Sequence, residues 1–441
     1  MTMPGLMMDS QLTINSIMNY AEQTFADVEI VSVTHDNPRH RYTYKAAFSR
    51  AKQLANALAQ YDLPQGTRIG TLAWNDHRHF EIYYGVSCSG LVCHTINPRL
   101  FPEQIHYIIE HGQDQILFVD PLFVPLIEAL DAKLTQVKQY VLMTDDAHMP
   151  ESQLPNICSY EAFINGHAAT FDFPELEENA ASSLCYTSGT TGDPKGVLYS
   201  HRSTVLHSMA SLLPNAMAVS SDDVIMPIVP MFHVNAWGIP YSAALCGCKL
   251  VFPGPKMADG ATIVDLVNSE KVSFSVGVPT IWQGLIQYLD ATESKIPSLK
   301  RCIVGGAATP LSLIKQFSAY GITLQTGWGM TETSPIGTIN VLKPALQSLN
   351  ETDKDRIAIK QGLTVFGVEL RIVDDENNEL ARDGKAFGKL QIRGGWVCQQ
   401  YYGLNESALT ADGWFDTGDI ATIDANGYME ITDRAKDVIK S

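Results

Sequence analysis

Apolar residues fall in short runs separated by segments in which they recur at helical spacing. Residues 67–74 form one such run, residues 76–89 place their apolar side chains at helix spacing, and residues 91–96 are apolar again. That order predicts strand, helix, strand. The pattern continues with a helix over 101–110, a strand over 115–119, a helix over 122–130 and a strand over 139–143. Fully apolar strands alternating with helices predict a parallel sheet covered on both faces. Polar residues 145–153 and acidic residues 175–178 mark surface connections before strand character returns at 182–186.

Between 224 and 312 the alternation resumes, with helices over 262–269 and 280–289 and strands over 272–276 and 302–304, predicting a second α/β layer. After about residue 362 the pattern shifts to short strands at 368–374, 388–393 and 428–432, punctuated by Gly and Asp, as in an antiparallel β subdomain. No fixed period recurs, which excludes solenoids and propellers. The fold class expected is α/β: two stacked α/β subdomains and a smaller, distorted antiparallel β-barrel subdomain.

A length of 441 residues suits two or three domains or subdomains. With 45% apolar and 18% charged residues, collagenous, low-complexity and disordered classes are excluded. The 31 basic and 48 acidic side chains leave a formal charge of −17, the wrong sign for tracking nucleic-acid phosphates. The most lipid-like stretch, 224–247, contains Pro227, Pro230, His233, Asn235 and Pro240, so it reads as protein interior rather than a membrane span. The N-terminus lacks the pattern of a secretory signal, and cytoplasm is the expected location. In that reducing setting the eight cysteines, with no C-x-x-C pair among them, read as buried thiols. The His77/His79 and His106/His111 pairs match no zinc spacing.

The candidate chemistry begins after the strand at 182–186. Tyr186-Thr187-Ser188-Gly189-Thr190-Thr191-Gly192-Asp193-Pro194-Lys195-Gly196 packs four hydroxyl side chains besides the tyrosine, three glycines and one lysine into eleven positions. Glycines let backbone N–H groups approach phosphate oxygens, hydroxyls donate further hydrogen bonds and Lys195 supplies a cation. The spacing is not that of a Walker A loop, and the composition alone also suits a flexible surface turn.

The order of these residues, followed by Ser200-His201-Arg202, resembles the phosphate-loop signature of the adenylate-forming superfamily of acyl-CoA synthetases, adenylation domains and luciferases. Further matches follow in family order: Val304-Gly305-Gly306-Ala307-Ala308, Gly327-Trp328-Gly329-Met330-Thr331-Glu332-Thr333, Gly413 to Asp419, and Asp433-Arg434-Ala435-Lys436-Asp437. The resemblance covers nearly the whole chain. Within the superfamily the sequence is most similar to the medium-chain fatty-acid and methylmercaptopropionate CoA ligases.

Such enzymes join a carboxylate to the α-phosphorus of ATP, release pyrophosphate and pass the acyl group to a thiol. Bringing two anions together calls for positioning and positive charge. The resemblance implies that Thr187, Ser188, Gly189, Thr190, Thr191, Gly192 and Lys195 hold the β- and γ-phosphates, that Thr331 meets the α-phosphate and that Glu332 binds Mg²⁺. Gly306, Ala307 and Ala308 resemble, with Trp328, the slot that holds adenine, flanked by Gly327, Gly329 and Met330. Many relatives carry Tyr at the Trp328 position. Asp419 and Arg434 match residues that reach the ribose, whereas Asp416 reads as a turn residue.

Pro230-Met231-Phe232-His233-Val234-Asn235-Ala236-Trp237-Gly238 bears on the acid. Amino-acid-activating relatives carry Asp where His233 stands, pairing it with the substrate ammonium. Without that anion a buried ammonium would be unpaired at a cost of about 3–5 kcal/mol, so an acid without an α-amine is expected. His233 reads either as a gate beside the acyl carboxylate or as a core histidine, and it is grouped with Gly305, Trp237, Pro279 and Thr280 as acyl-pocket residues. The catalytic set implied is Thr187, Lys195, His233, Thr331 and Glu332.

The resemblance divides the chain into a large N-terminal domain over 1–434, with α/β subdomains to about 361 and a β-rich part over about 362–434, and a hinge over 435–441 containing Lys436. Relatives continue into a small domain that carries the adenylation lysine, so the expectation is a substrate-binding fragment with little turnover alone. The partners implied are ATP, Mg²⁺, coenzyme A and a small carboxylic acid such as a fatty acid; a homodimer is compatible with the family, and neither nucleic acid nor a membrane span is expected. Three functions remain open at this point: a carboxylate–CoA ligase, an adenylating enzyme with a carrier-protein or other acceptor, and a non-catalytic nucleotide-binding module.

Overall fold

The computed structural model describes residues 3–187 and 192–434. Its backbone is built on a seven-stranded, a nine-stranded and a four-stranded sheet. Across the first, the strands run Ile157–Ser159, Gln139–Leu142, Ile116–Val119, Arg68–Leu72, Val92–Thr95, Ala181–Tyr186 and Gly196–Ser200. Six of them are parallel, and the last is antiparallel to its neighbour. Ile116–Val119 is buried at every position, as the unbroken apolar pattern predicts for a strand covered on both faces.

The nine-stranded sheet is mixed at both ends. Its parallel centre consists of Thr323–Gly329, Arg301–Val304, Phe274–Gly277, Val224–Pro227, Lys249–Phe252 and Glu29–Ser32. His40–Thr43 closes one edge, and Ile336–Ile339 with Leu363–Thr364 closes the other, all by antiparallel pairing. The second α/β layer therefore also recruits two strands from the first tenth of the chain. The four-stranded sheet, Val368–Val373, Phe387–Gly394, Phe415–Ile423 and Met429–Arg434, is antiparallel throughout.

The helix His77–Cys88 packs on Glu29–Ser32 from one large sheet and on Val92–Thr95 and Ala181–Tyr186 from the other. It is capped by Asp76, whose carboxylate accepts from the His79 N–H at 2.8 Å. All of its residues are buried, including Arg78, His79 and Glu81. The polar ones are satisfied internally. Arg78 bonds Asp36 and Glu161, and Arg50 bonds Glu81 and Glu161. His79 lies 3.0 Å from both Thr71 Oγ1 and the Trp74 carbonyl, and His77 stacks on His40.

The cysteines are free thiols, but burial is not uniform: Cys88, Cys93, Cys185, Cys248 and Cys302 are buried, and Cys158, Cys246 and Cys398 are half-buried. Among the described residues no helix is long and apolar enough to cross a membrane.

Candidate functional site

Strand Ala181–Tyr186 delivers Thr187 to the C-terminal end of the parallel strands of the seven-stranded sheet, and the chain returns along the edge strand Gly196–Ser200 with Tyr186 facing Gly196. The Thr187 N–H donates to the Lys195 carbonyl at 2.9 Å, so the two ends of the predicted phosphate loop are clasped. Ser188, Gly189, Thr190 and Thr191 lie outside the described residues. Gly192 holds a φ of 87°, a conformation open to glycine at little cost. Lys195 is exposed, with Nζ 4.9 Å from the centre of the Tyr401 ring. Immediately beyond the return strand, Ser200 caps helix His201–Ser211 by accepting from the Ser203 N–H.

The second predicted motif leaves the nine-stranded sheet at Gly329 and makes a single 3₁₀ turn at Thr331–Thr333. Glu332 is only 6% exposed. Its Oε1 accepts from the Tyr401 hydroxyl at 2.7 Å, and its carbonyl accepts from the Cys398 N–H at 2.7 Å. The Thr331 carbonyl accepts from the Tyr199 hydroxyl at 2.6 Å, tying this turn to the strand that follows the phosphate loop. The Tyr402 N–H donates to the Gly196 carbonyl at 2.8 Å. Residues 398–402 therefore strap Glu332 to the hairpin of Ala181–Tyr186 and Gly196–Ser200. Tyr401 is the shared member, its ring under Lys195 and its hydroxyl on Glu332. Burial, followed by the Glu332 charge, pushes its pKa above the usual phenol range and keeps it a donor.

Trp328 and Asp419 meet directly: the indole Nε1–H donates to Asp419 Oδ2 at 3.0 Å. Trp328 is 8% exposed, and a Cβ on Gly337 would lie 2.4 Å from its ring, so one part of the indole is seated on a glycine in the core. Gly306, Ala307 and Ala308 are exposed at the end of strand Arg301–Val304. Asp419 faces Arg434 in the backbone register of the four-stranded sheet. Asp416 accepts from the Gly418 N–H at 3.0 Å, the local bond of a turn residue. Lys436 lies outside the described residues.

Gly305 joins the two halves of the predicted site. A Cβ there would stand 3.1 Å from the Trp237 indole and 3.2 Å from the Gly327 carbonyl. The proposed acyl-pocket tryptophan thus lies close against the strand that carries the predicted nucleotide motif, and a side chain at 305 would crowd both. Pro279 is buried and Thr280 exposed at the start of helix Pro279–Thr292. His233 is half-buried; burial first, and then the Arg99 charge, hold its pKa below the ordinary imidazole value and favour the neutral ring. Arg99 itself lies 5.6 Å from the ring centres of both Trp74 and Phe232. Asn75 braces the approach to His233, donating to the Pro227 and Val229 carbonyls and accepting from the Met231 N–H.

Residues of all three sheets thus meet near the predicted motifs: Tyr199 of the seven-stranded sheet bonds the turn at Thr331, and Trp328 of the nine-stranded sheet bonds Asp419 of the four-stranded one. The sequence profile of the AMP-binding enzymes matches residues 19–402. The chain belongs to the AMP-binding enzyme family. Over 440 residues it is 48% identical to a 3-methylmercaptopropionyl-CoA ligase of Ruegeria lacuscaerulensis, covering 100% of this chain and 81% of that protein. It is equally 48% identical over 440 residues to a medium-chain-fatty-acid–CoA ligase of Ectopseudomonas oleovorans, covering 100% and 80%. The inhibitor-bound N-terminal domain of FACL13 from Mycobacterium tuberculosis superposes with a TM-score of 0.81 at 26% identity, covering 96% of this chain and 99% of that domain.

As a member of the AMP-binding family the protein is an ATP-dependent acid–thiol ligase that joins a carboxylic acid to coenzyme A. Within its site, sequence reasoning missed Tyr401, Tyr199 and Asn75. Tyr401 lies outside the recognised motifs, and only the folded strap brings it to Glu332.

Proposed function

We propose that this ligase activates fatty acids and related acids lacking an α-amino group, with Mg²⁺-bound ATP, through an acyl adenylate. The observation that carries this reading is Gly305, where the Trp237 indole and the Gly327 carbonyl converge. An acid lying along Trp237 would thereby present its carboxylate beside the nucleotide motif. The names of the relatives, which act on methylmercaptopropionate and medium-chain fatty acids, agree with an apolar acyl chain.

In the first step a carboxylate oxygen attacks the α-phosphorus; the new O–P bond replaces the bond to the β-phosphate oxygen, and pyrophosphate leaves. Lys195 and the hydroxyls of Thr187 and its neighbours hold the β- and γ-phosphates, while Thr331 orients the α-phosphate. Positive charge placed before reaction lowers the cost of two anions meeting. Glu332 fits a hard divalent cation, being a nearly buried carboxylate oriented by a phenol. Bound there, magnesium would supply charge neutralisation on the phosphate oxygens. Asp419, oriented by the Trp328 indole, accepts the ribose hydroxyls. In the second step the thiol of CoA gives up its proton to solvent, its sulfur bonds to the acyl carbon, the acyl–oxygen bond breaks and AMP departs with that electron pair.

His233 supports the choice of acid. A neutral imidazole offers no counter-charge to an ammonium, whereas it can donate to a carboxylate oxygen. Pyrophosphate release measured with short, medium, long and aromatic acids and with an α-amino acid, in the presence and absence of CoA, tests the proposal. Pyrophosphate release is expected to be faster with the fatty acids than with the amino acid, with a thioester product formed only when CoA is present. Faster release with the amino acid than with every fatty acid would overturn it.

A further inference from the structure

Val234, Asn235, Ala236 and Trp237 hold φ values of 46°, 51°, 50° and 56°, and Gly238 closes the turn at 74°. Four consecutive L-residues thus trace a left-handed helical turn. Each pays a steric cost of about 1–2 kcal/mol from its Cβ. Glycine avoids that cost, and asparagine tolerates the region better than most residues. Backbone bonds from the Ala236 N–H to the His233 carbonyl and from the Gly238 N–H to the Asn235 carbonyl close the turn at 3.3 and 3.0 Å. They do not fix it to the rest of the protein.

Asn235 does. It is 5% exposed, and its side chain uses both ends. Nδ2 donates to Ser183 Oγ at 3.0 Å and Oδ1 accepts from the Cys185 thiol at 3.3 Å; Oδ1 also lies 3.3 Å from the Tyr83 hydroxyl, which shares its proton with the Met231 carbonyl. Ser183 and Cys185 lie on the strand that runs into Thr187, and Tyr83 on the buried helix His77–Cys88. The turn is pinned to a parallel strand and a helix buried throughout, while its ends present His233 and Trp237. Such strain persists where the surroundings hold it, and it gathers at ligand-binding segments.

We infer that Asn235 is a positioning residue for selection of the acid: by fastening the left-handed turn to strand Ala181–Tyr186, it sets where His233 and Trp237 stand. This rests on the proposed placement of those two residues in the acyl pocket. Asn235 touches no substrate. Its loss lets the turn relax toward a right-handed conformation, displacing Trp237 from Gly305, while the clasped ends of the phosphate loop stay in place.

The test is calorimetric titration of the 441-residue chain with AMP and with non-hydrolysable acyl-sulfamoyl adenosines of short, medium and long chain. Asn235→Ala is expected to weaken the acyl-sulfamoyl adenosines by about tenfold or more, equivalent to about 1.4 kcal/mol, and to flatten their ranking by chain length. AMP affinity should change by less than about twofold, within the range of a neutral substitution. Asn235→Gly accepts the left-handed backbone but restores no side-chain bond, and should behave like Asn235→Ala. Ser183→Ala removes one bond, should act in the same direction with a smaller effect, and serves if the Asn235 variants do not fold. Recovery of the native ranking in Asn235→Gly would overturn the inference, as would equal weakening of AMP and every acyl analogue. Trp237→Ala separates the underlying reading: an unchanged ranking in that variant removes Trp237 from the pocket, whereas a changed ranking there with native behaviour in Asn235→Ala refutes the positioning role alone.

Discussion

Tyr401 links two groups that phosphate chemistry would use together. Its ring supports Lys195 and its hydroxyl directs Glu332. Tyr401→Phe keeps the ring and removes only the hydrogen bond. Partners that orient a metal-binding carboxylate typically change affinity by about 10–100-fold when removed. The variant should therefore require about tenfold more Mg²⁺ for half-maximal ATP binding, at the low end of that range, with AMP binding without Mg²⁺ nearly unchanged. A magnesium titration followed by calorimetry checks this, and an unchanged midpoint would separate Tyr401 from the metal site. Lys195→Ala addresses the other partner. It should weaken ATP more than AMP, because AMP carries neither phosphate assigned to Lys195; the reverse ranking in the same titrations would remove Lys195 from that role. The Trp328–Asp419 bond adds a residue-level detail that motif spacing did not foretell. Both residues were recognisable as nucleotide contacts by resemblance, yet the indole is largely buried and spends its one donor on the carboxylate. Trp328 thus orients Asp419 from strand Thr323–Gly329.

The buried helix His77–Cys88 shows what patterning reads at the level of an element and what it leaves out. Apolar spacing predicts the helix to within a residue at each end, because the heptad-like rows of Phe80, Tyr83, Tyr84 and Cys88 are unmistakable. It does not predict that Arg78, His79 and Glu81 are buried too, since their partners Asp36, Arg50, Thr71 and Glu161 come from other elements. The left-handed turn at 234–238 is illegible for a related reason: only its last residue, Gly238, is a glycine, and the bonds that hold it come from distant chain positions. Phe415–Ile423 escapes strand prediction because Asp416, Thr417, Gly418 and Asp419 break the apolar pattern. The ion network makes its own prediction. Burial alone would raise the Asp36 pKa, yet hydrogen bonds from Arg78 and Thr34 and the Arg78 charge hold it well below the carboxylate range. Arg78→Met should therefore cost about 3–5 kcal/mol, the usual consequence of leaving a buried charge unpaired. The urea midpoint should fall accordingly with little change in slope. Adding Asp36→Leu should recover part of the loss, because it removes the stranded charge; a double variant no more stable than Arg78→Met would contradict this account.

Across the whole molecule, burial sets opposing responses to acid. His207 is fully buried, and desolvation lowers its pKa from 6.5 to about 3; His79 and His201 are lowered to about 4 by the same cause. Asp76 and Asp120 are raised, chiefly by burial, to about 8 and about 6. A histidine with a depressed folded pKa binds its proton in the unfolded chain first, so it costs stability as pH falls below 6.5. A carboxyl with a raised folded pKa binds its proton first in the folded chain, so acidification through that value adds stability. The net wild-type curve therefore hides the contribution of any one group. His207 can be isolated because its Nε2 accepts from the Ile336 N–H at 3.4 Å, a role that the carbonyl of glutamine can take over. Relative to His207→Gln, the wild type should lose about 1.4 kcal/mol for each pH unit below the unfolded histidine value until the folded pKa is approached. The gap should thus change by about 2 kcal/mol between pH 6.5 and pH 5, and level off toward about pH 8, where His207 is neutral in both states. Urea midpoints and slopes of the two proteins across that range give the difference directly. Parallel stability curves below pH 6.5 would mean that His207 takes up its proton in the folded core as readily as in the unfolded chain, and that the interior around its bond to Ile336 admits solvent.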